Sequence, residues 1–295
     1  MTCQDSLTPW QQAQAAILAY FASTPYLQYL HDVVLSLQDG RLSPLRQDQH
    51  GPGSRGLRWQ RYDWAFLGEI SAWTTQNLVL RRHGIYRKSN ASERMMNAHM
   101  TAREYMGADE VEAFDAVTSL VGRVSDRLDR TLSLNGHGGW NDHGLSRECD
   151  RHALFARLES NFAPNSAFVC ATGAAVPRTG IYMALDDPHA TLRFAWAGKD
   201  APPMPKASTF NILGLEALEV IGRDRLWRDD AAMRAFINRA HVARQLERDG
   251  WWRDRDSPSV PVLLLSSYVF ETLPMNWILV EARADAACNA TGASN

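Results

Sequence analysis

Apolar residues recur at helical spacing through most of the first half of the chain. Ala13, Ile17, Leu18 and Phe21 follow Thr8-Pro9, an N-cap threonine with proline in the first helical position. Thr24-Pro25 repeats the signal, and Tyr26, Leu30, Val33, Val34 and Leu37 continue the stripe to Asp39-Gly40. Residues 39–58 are rich in Gly, Pro, Ser and Gln and predict a loop. A long helix is expected from about Tyr62, with Trp64, Leu67, Ile70, Trp73, Leu78 and Leu80 on one face as far as Gly84. Ser92 is placed to cap another, through Met95, Met96, Met100 and Tyr105. After Gly107 the period resumes at Val111, Phe114, Val117, Leu120, Val121, Val124 and Leu128. Residues 1–135 are therefore expected to form an N-terminal antiparallel helical bundle.

The pattern changes in residues 136–295. Asn135–Gly144 is rich in Gly and His and predicts a loop; Glu148–Leu158 predicts a short helix. Two short apolar runs, Phe168-Val169-Cys170 and Ile181-Tyr182-Met183, flank Gly173, Pro177 and Gly180. Glycine permits positive φ and proline fixes φ, so this punctuation predicts a tight β-turn between two strands, with Gly180 in a conformation that a Cβ would strain. Phe194–Gly198 predicts a third strand, stopped by Pro202, Pro203 and Pro205. Thr209–Gly222 predicts a helix carrying Ile212, Leu213, Leu215, Leu218 and Ile221. Asp229-Asp230 suits the start of another, along Met233, Phe236, Ile237 and His241. Val260–Phe270 and Asn276–Glu281 predict a C-terminal β-hairpin, followed from about Ala284 by a frayed tail. The expected class is α+β and predominantly helical, with the bundle and the second region packed as one globular unit.

Composition narrows the class. The chain has 295 residues, 45 % hydrophobic and 22 % charged, and a net charge of −2. That balance supports a sizeable core and argues against a dedicated nucleic-acid binder, which carries a basic excess. Cysteines stand at 3, 149, 170 and 288 with no CxxC pair, which suits a reducing compartment and disfavours a zinc ribbon. No signal peptide and no membrane-spanning run is seen, so a cytoplasmic location is expected.

Candidate chemistry is sparse. His137, Asp142 and His143, with Cys149 and His152 nearby, are residue types that zinc accepts, yet their spacing matches no defined motif. No P-loop, dinucleotide fingerprint or GxSxG elbow is present. Cys170 beside His152 or His189 would make a thiol pair, but its apolar run favours an inert thiol. No cofactor and no catalytic residue are expected. Two surface features suit a protein partner. Asp109, Glu110, Glu112 and Asp115 crowd one stretch, which fits a solvated helix start or an acidic patch for a basic surface. Trp251 and Trp252 are adjacent, and neighbours on a helix point about 100° apart, so one tends towards exposure, where tryptophan is enriched at binding hot spots.

Cys170, Gly173, Pro177, Gly180 and Tyr182, followed by Phe194, Gly198 and Pro202, resemble the pattern of the immunity protein 71 and 72 families of bacterial polymorphic toxin systems. The order of a helical half, a short β-unit and a further helix is similar too. The resemblance implies a cytoplasmic antitoxin that binds and blocks a cognate secreted toxin stoichiometrically, with neither nucleic acid nor membrane as partner. The alternatives are a metal-assisted hydrolase using His137, Asp142 and His143, or an adaptor that loads an effector for secretion.

Overall fold

Helix starts are set by side chains that answer the open N–H groups of the first turn. Thr8 and Gln11 cap the first helix reciprocally: the Gln11 amide nitrogen donates to Thr8 Oγ1 at 3.4 Å, and Thr8 N–H donates to Gln11 Oε1 at 2.9 Å. The structure is a computed structural model that describes residues 6–47, 65–91, 93–95, 108–133, 139–152, 162–248 and 260–283. It contains helices α1 (Pro9–Ala22), α2 (Thr24–Gln47), α3 (Ala65–Arg81), α4 (Ala108–Thr131) and α5 (Asp142–Arg151), then strands β1 (Phe162–Ala171), β2 (Gly180–Ala184), β3 (Arg193–Ala195) and β4 (Ala207–Phe210). Helices α6 (Ile212–Ile221), α7 (Asp230–Ile237), α8 (Ala240–Arg248) and α9 (Val260–Tyr268) follow, and strands β5 (Phe270–Leu273) and β6 (Asn276–Ala282) end the described chain. The fold is α+β, predominantly helical, with two small antiparallel sheets. None of the described helices is long and apolar enough to cross a membrane.

The chain divides into two compact units. One comprises residues 18–139 and 194–202, the other residues 1–17, 140–193 and 203–295. The two units are interleaved along the sequence.

In the helical unit, α2 packs on α3 and α4. Tyr26, Leu30, Ile70, Val121 and Leu128 are buried, Phe66 meets Phe114 edge-on at 5.7 Å, and the Tyr26 hydroxyl donates to the Val124 carbonyl at 3.0 Å. Each such large apolar side chain contributes roughly 1.5–3 kcal/mol on burial. Two boundaries differ from expectation. Ser23, not Thr24, caps α2, accepting from the Tyr26 amide at 3.2 Å, and α2 runs through Asp39-Gly40 to Gln47. A single glycine costs a helix only about 1 kcal/mol, too little to stop it.

The other unit holds strands β1, β6 and β2, which neighbour one another in that order. β6 therefore lies between β1 and β2, and the expected hairpin across Cys170–Tyr182 is not formed. Residues 172–179 connect two strands that both pair antiparallel with β6. The connection is tied to the residues that lead into β6: Thr172 N–H donates to the Met275 carbonyl at 2.9 Å, and Trp277 Nε1 donates to Thr172 Oγ1 at 3.1 Å. Tyr182 is fully buried, and its hydroxyl donates to the Arg178 carbonyl at 2.5 Å. Burial pushes its phenol up to about 12.

The expected C-terminal hairpin is also replaced. Val260–Tyr268 is helical, β5 pairs with β4 in a separate two-stranded sheet, and β6 joins the larger one. Pro261 sits in the first turn of α9, where a missing N–H costs nothing.

β1 is an edge strand, and its edge is interrupted. Gln12 closes its start with two hydrogen bonds, Nε2 to the Phe162 carbonyl and Oε1 from the Phe162 amide, both 2.8 Å. Pro164 follows, and the pairing with β6 slips between Asn165 and Val169, where Ala167 N–H turns back to Asn165 Oδ1 at 3.0 Å.

The glycines of the connection play different parts from those expected. Gly173 has φ +86°, whereas Gly180 is not among the glycines with positive φ. A Cβ on Gly180 would instead meet Leu279 Cδ1 at 2.6 Å, in a side chain that is itself buried. Gly173→Ala is therefore expected to cost about 1–3 kcal/mol from backbone strain, and Gly180→Ala about 1–3 kcal/mol from overpacking. Thermal denaturation measures both; an unchanged melting temperature in either variant would refute the cause given for it.

Candidate partner-binding surface

α6 is pinned at both ends and along its inner face. Asn211 caps it, accepting from Gly214 N–H at 2.9 Å, and its amide donates to the Tyr268 carbonyl at 2.5 Å. Gly214 lies so close to the chain at Val269 that a Cβ there would stand 2.3 Å from the Val269 carbonyl oxygen and 2.6 Å from Phe210 Cδ1. Leu213, Ala217 and Ile221 enter a core with Phe236, Ile237, Leu246, Leu264 and Leu265. Gly222, at φ 86°, ends the helix.

The outer face has no such cover. Ile212 is 88 % exposed, the highest value among the large apolar side chains described, and Leu215 and Val220 are 44 % and 43 % exposed. At about 100° per residue, Ile212, Leu215 and Glu219 form one surface row, and Ile212, Glu216 and Val220 form the next. The two carboxylates differ. Glu216 accepts from His241 Nε2 at 2.9 Å and from Arg239 Nη1 at 2.9 Å. The His241 hydrogen bond above all, with that of Arg239 behind it, holds its carboxyl below the ordinary range against the opposing effect of burial. Glu219 is exposed and has no hydrogen-bond or ion-pair partner among the described residues.

Below α6 the unit is braced by a buried carboxylate. Asp142 is fully buried in the first turn of α5, behind an Asn141 cap that accepts from Gly144 N–H at 2.9 Å. It receives both terminal nitrogens of Arg223, the Trp227 indole N–H at 2.8 Å and Gln14 Nε2 at 3.3 Å. The Arg223 guanidinium lies 4.0 Å from the centre of the Trp10 ring. Trp227 takes φ 74°, rare for a bulky residue, and its ring packs on Phe210, Phe270 and His143. Arg223 begins the turn that leaves α6, so this network fixes where the helix ends.

The candidates read from sequence fare differently. His137, Trp251 and Trp252 lie outside the described residues, and the side chains of Asp109 and Glu110 are not described. Glu112 is exposed and Asp115 half-buried on α4. Asp142 and His143 do not sit in an open loop: Asn141 starts a helix there, Asp142 is consumed by Arg223 and Trp227, and His143 packs on the Trp227 ring. Among the described residues no group of three or more His, Cys, Asp or Glu is arranged to hold a metal ion. Burial raises the Cys170 thiol and pushes Cys149 up to about 12, so neither is a ready thiolate.

The outer face of α6 was visible only indirectly. Ile-Leu-Gly-Leu-Glu-Ala-Leu-Glu-Val-Ile is apolar nearly all round. A helix without a polar face has two sides to cover, and that was the available signal.

No protein-family model, no curated protein and no solved structure matches this chain.

Proposed function

We propose that this chain is a cytoplasmic immunity protein that neutralises the toxin domain of a secreted bacterial effector by binding it in a one-to-one complex. The observation that carries the reading is the outer face of α6. It presents Ile212, Leu215 and Val220 to solvent from a helix that Gly214, Asn211 and a continuous core hold rigidly. Exposed apolar side chains grouped on a fixed element mark interaction surfaces, and a rigid surface spends little entropy on binding. The resemblance carried by Cys170, Gly173, Pro177, Gly180 and Tyr182 points to the same class.

The test begins with the genes adjacent to this one: where one encodes a large secreted protein, its C-terminal domain is co-expressed with the chain. The expected result is rescued growth and a complex that survives gel filtration. Leu215→Glu, which leaves the buried face of α6 untouched, is expected to weaken the complex by 2 kcal/mol or more, roughly thirty-fold. A complex without rescue would favour the effector-loading adaptor. Failure of both rescue and complex formation would rule out the immunity reading.

A further inference from the structure

A partner that covers Ile212 and Leu215 cannot avoid Glu219, because the three form one row on the same face of α6. Covering that row with purely apolar groups would strip water from a carboxylate that has nothing to replace it, and an unpaired buried charge is among the costliest features an interface can contain. Glu216 imposes no such demand, since Arg239 and His241 already answer it. Resting on the immunity reading above, we infer that the toxin segment docked on α6 is apolar with one basic side chain, arginine or lysine, that pairs with Glu219. Glu219 is then the residue that selects the partner: a segment of the right shape without the cation is penalised, and one carrying an acid there is rejected. The two glutamates, three residues apart, thus have separate tasks. Glu216 ties α6 to the start of α8, and Glu219 faces the partner.

The full chain and a toxin domain found to bind it in the co-expression test are titrated calorimetrically at low and high sodium chloride. Glu219→Gln is expected to weaken binding on the order of thirty-fold and to flatten its salt dependence, and Glu219→Arg to weaken it further. Both variants should melt with the wild type, since Glu219 is exposed and makes no intramolecular pair among the described residues. Wild-type affinity in Glu219→Arg, alongside the loss in Leu215→Glu, would overturn the inference and leave the immunity reading standing. Absence of binding by the wild-type chain would overturn both.

Discussion

Replacing Asp142 with alanine is expected to destabilise the protein by about 3–5 kcal/mol, the usual loss when one partner of a buried ion pair is removed. The carboxylate answers four donors at once, two from Arg223 and one each from Trp227 and Gln14. Alanine would leave a guanidinium, only partly open to water, without its counter-charge, and an indole N–H with no acceptor. Relaxation of Trp227 from its strained backbone, about 1–3 kcal/mol, would offset part of that loss. Asp142→Asn keeps an acceptor and should lose less. Since the two residues share a network, Asp142→Asn with Arg223→Met should cost less than the sum of the single changes. Urea denaturation of the wild type, Asp142→Ala, Asp142→Asn, Arg223→Met and the double variant measures all of this. A loss under about 0.5 kcal/mol for Asp142→Ala, the range of an ordinary surface substitution, would mean that the network does not brace the unit.

Gly214→Ala inverts a familiar expectation. Within an open helix the change stabilises by about 0.5–1 kcal/mol, because glycine gives up more freedom on folding. Here the added Cβ would sit 2.3 Å from the Val269 carbonyl oxygen, a backbone atom with little room to retreat, and 2.6 Å from the Phe210 ring. The expected outcome is a loss of about 1–3 kcal/mol, typical of overpacking, with α6 displaced outward. The functional counterpart is weaker partner binding at temperatures where the variant remains folded. A rise in melting temperature would show that α6 does not lie this close to Val269.

Two helix starts were legible. Thr8 with Gln11, and Asp229 with Ala232, act through contacts three residues apart, so a short window contains the whole interaction. Strand pairing was not legible, because the partners are distant. Cys170 lies opposite Trp277, and nothing between residues 170 and 182 announces that β6 will be inserted there. Val260–Tyr268 misled for another reason. A short apolar run suits a buried helix or a strand equally well, and only the Pro261 position favours the helix. At the candidate surface, the apolar content of α6 was readable and its exposure was not. Exposure depends on which face Gly214 presses against Val269, a contact across more than fifty residues. Asp142 was misjudged on the same grounds: beside His143 it resembles a ligand, and its guanidinium partner lies eighty-one residues away.

The interrupted edge of β1 bears on how the protein behaves in quantity. On the immunity reading proposed above, the chain would be made before its partner arrives and would have to stay dispersed until then. A bare strand at the rim of a sheet is the usual place where stored copies zip together into ribbons. Gln12 occupies the first rung, Pro164 lacks the N–H of a later one, and the slip between Asn165 and Val169 breaks the register that a docking strand would need. Smoothing this rim, by deleting the bulged residues or restoring an N–H at position 164, is expected to let copies of the chain pair edge to edge.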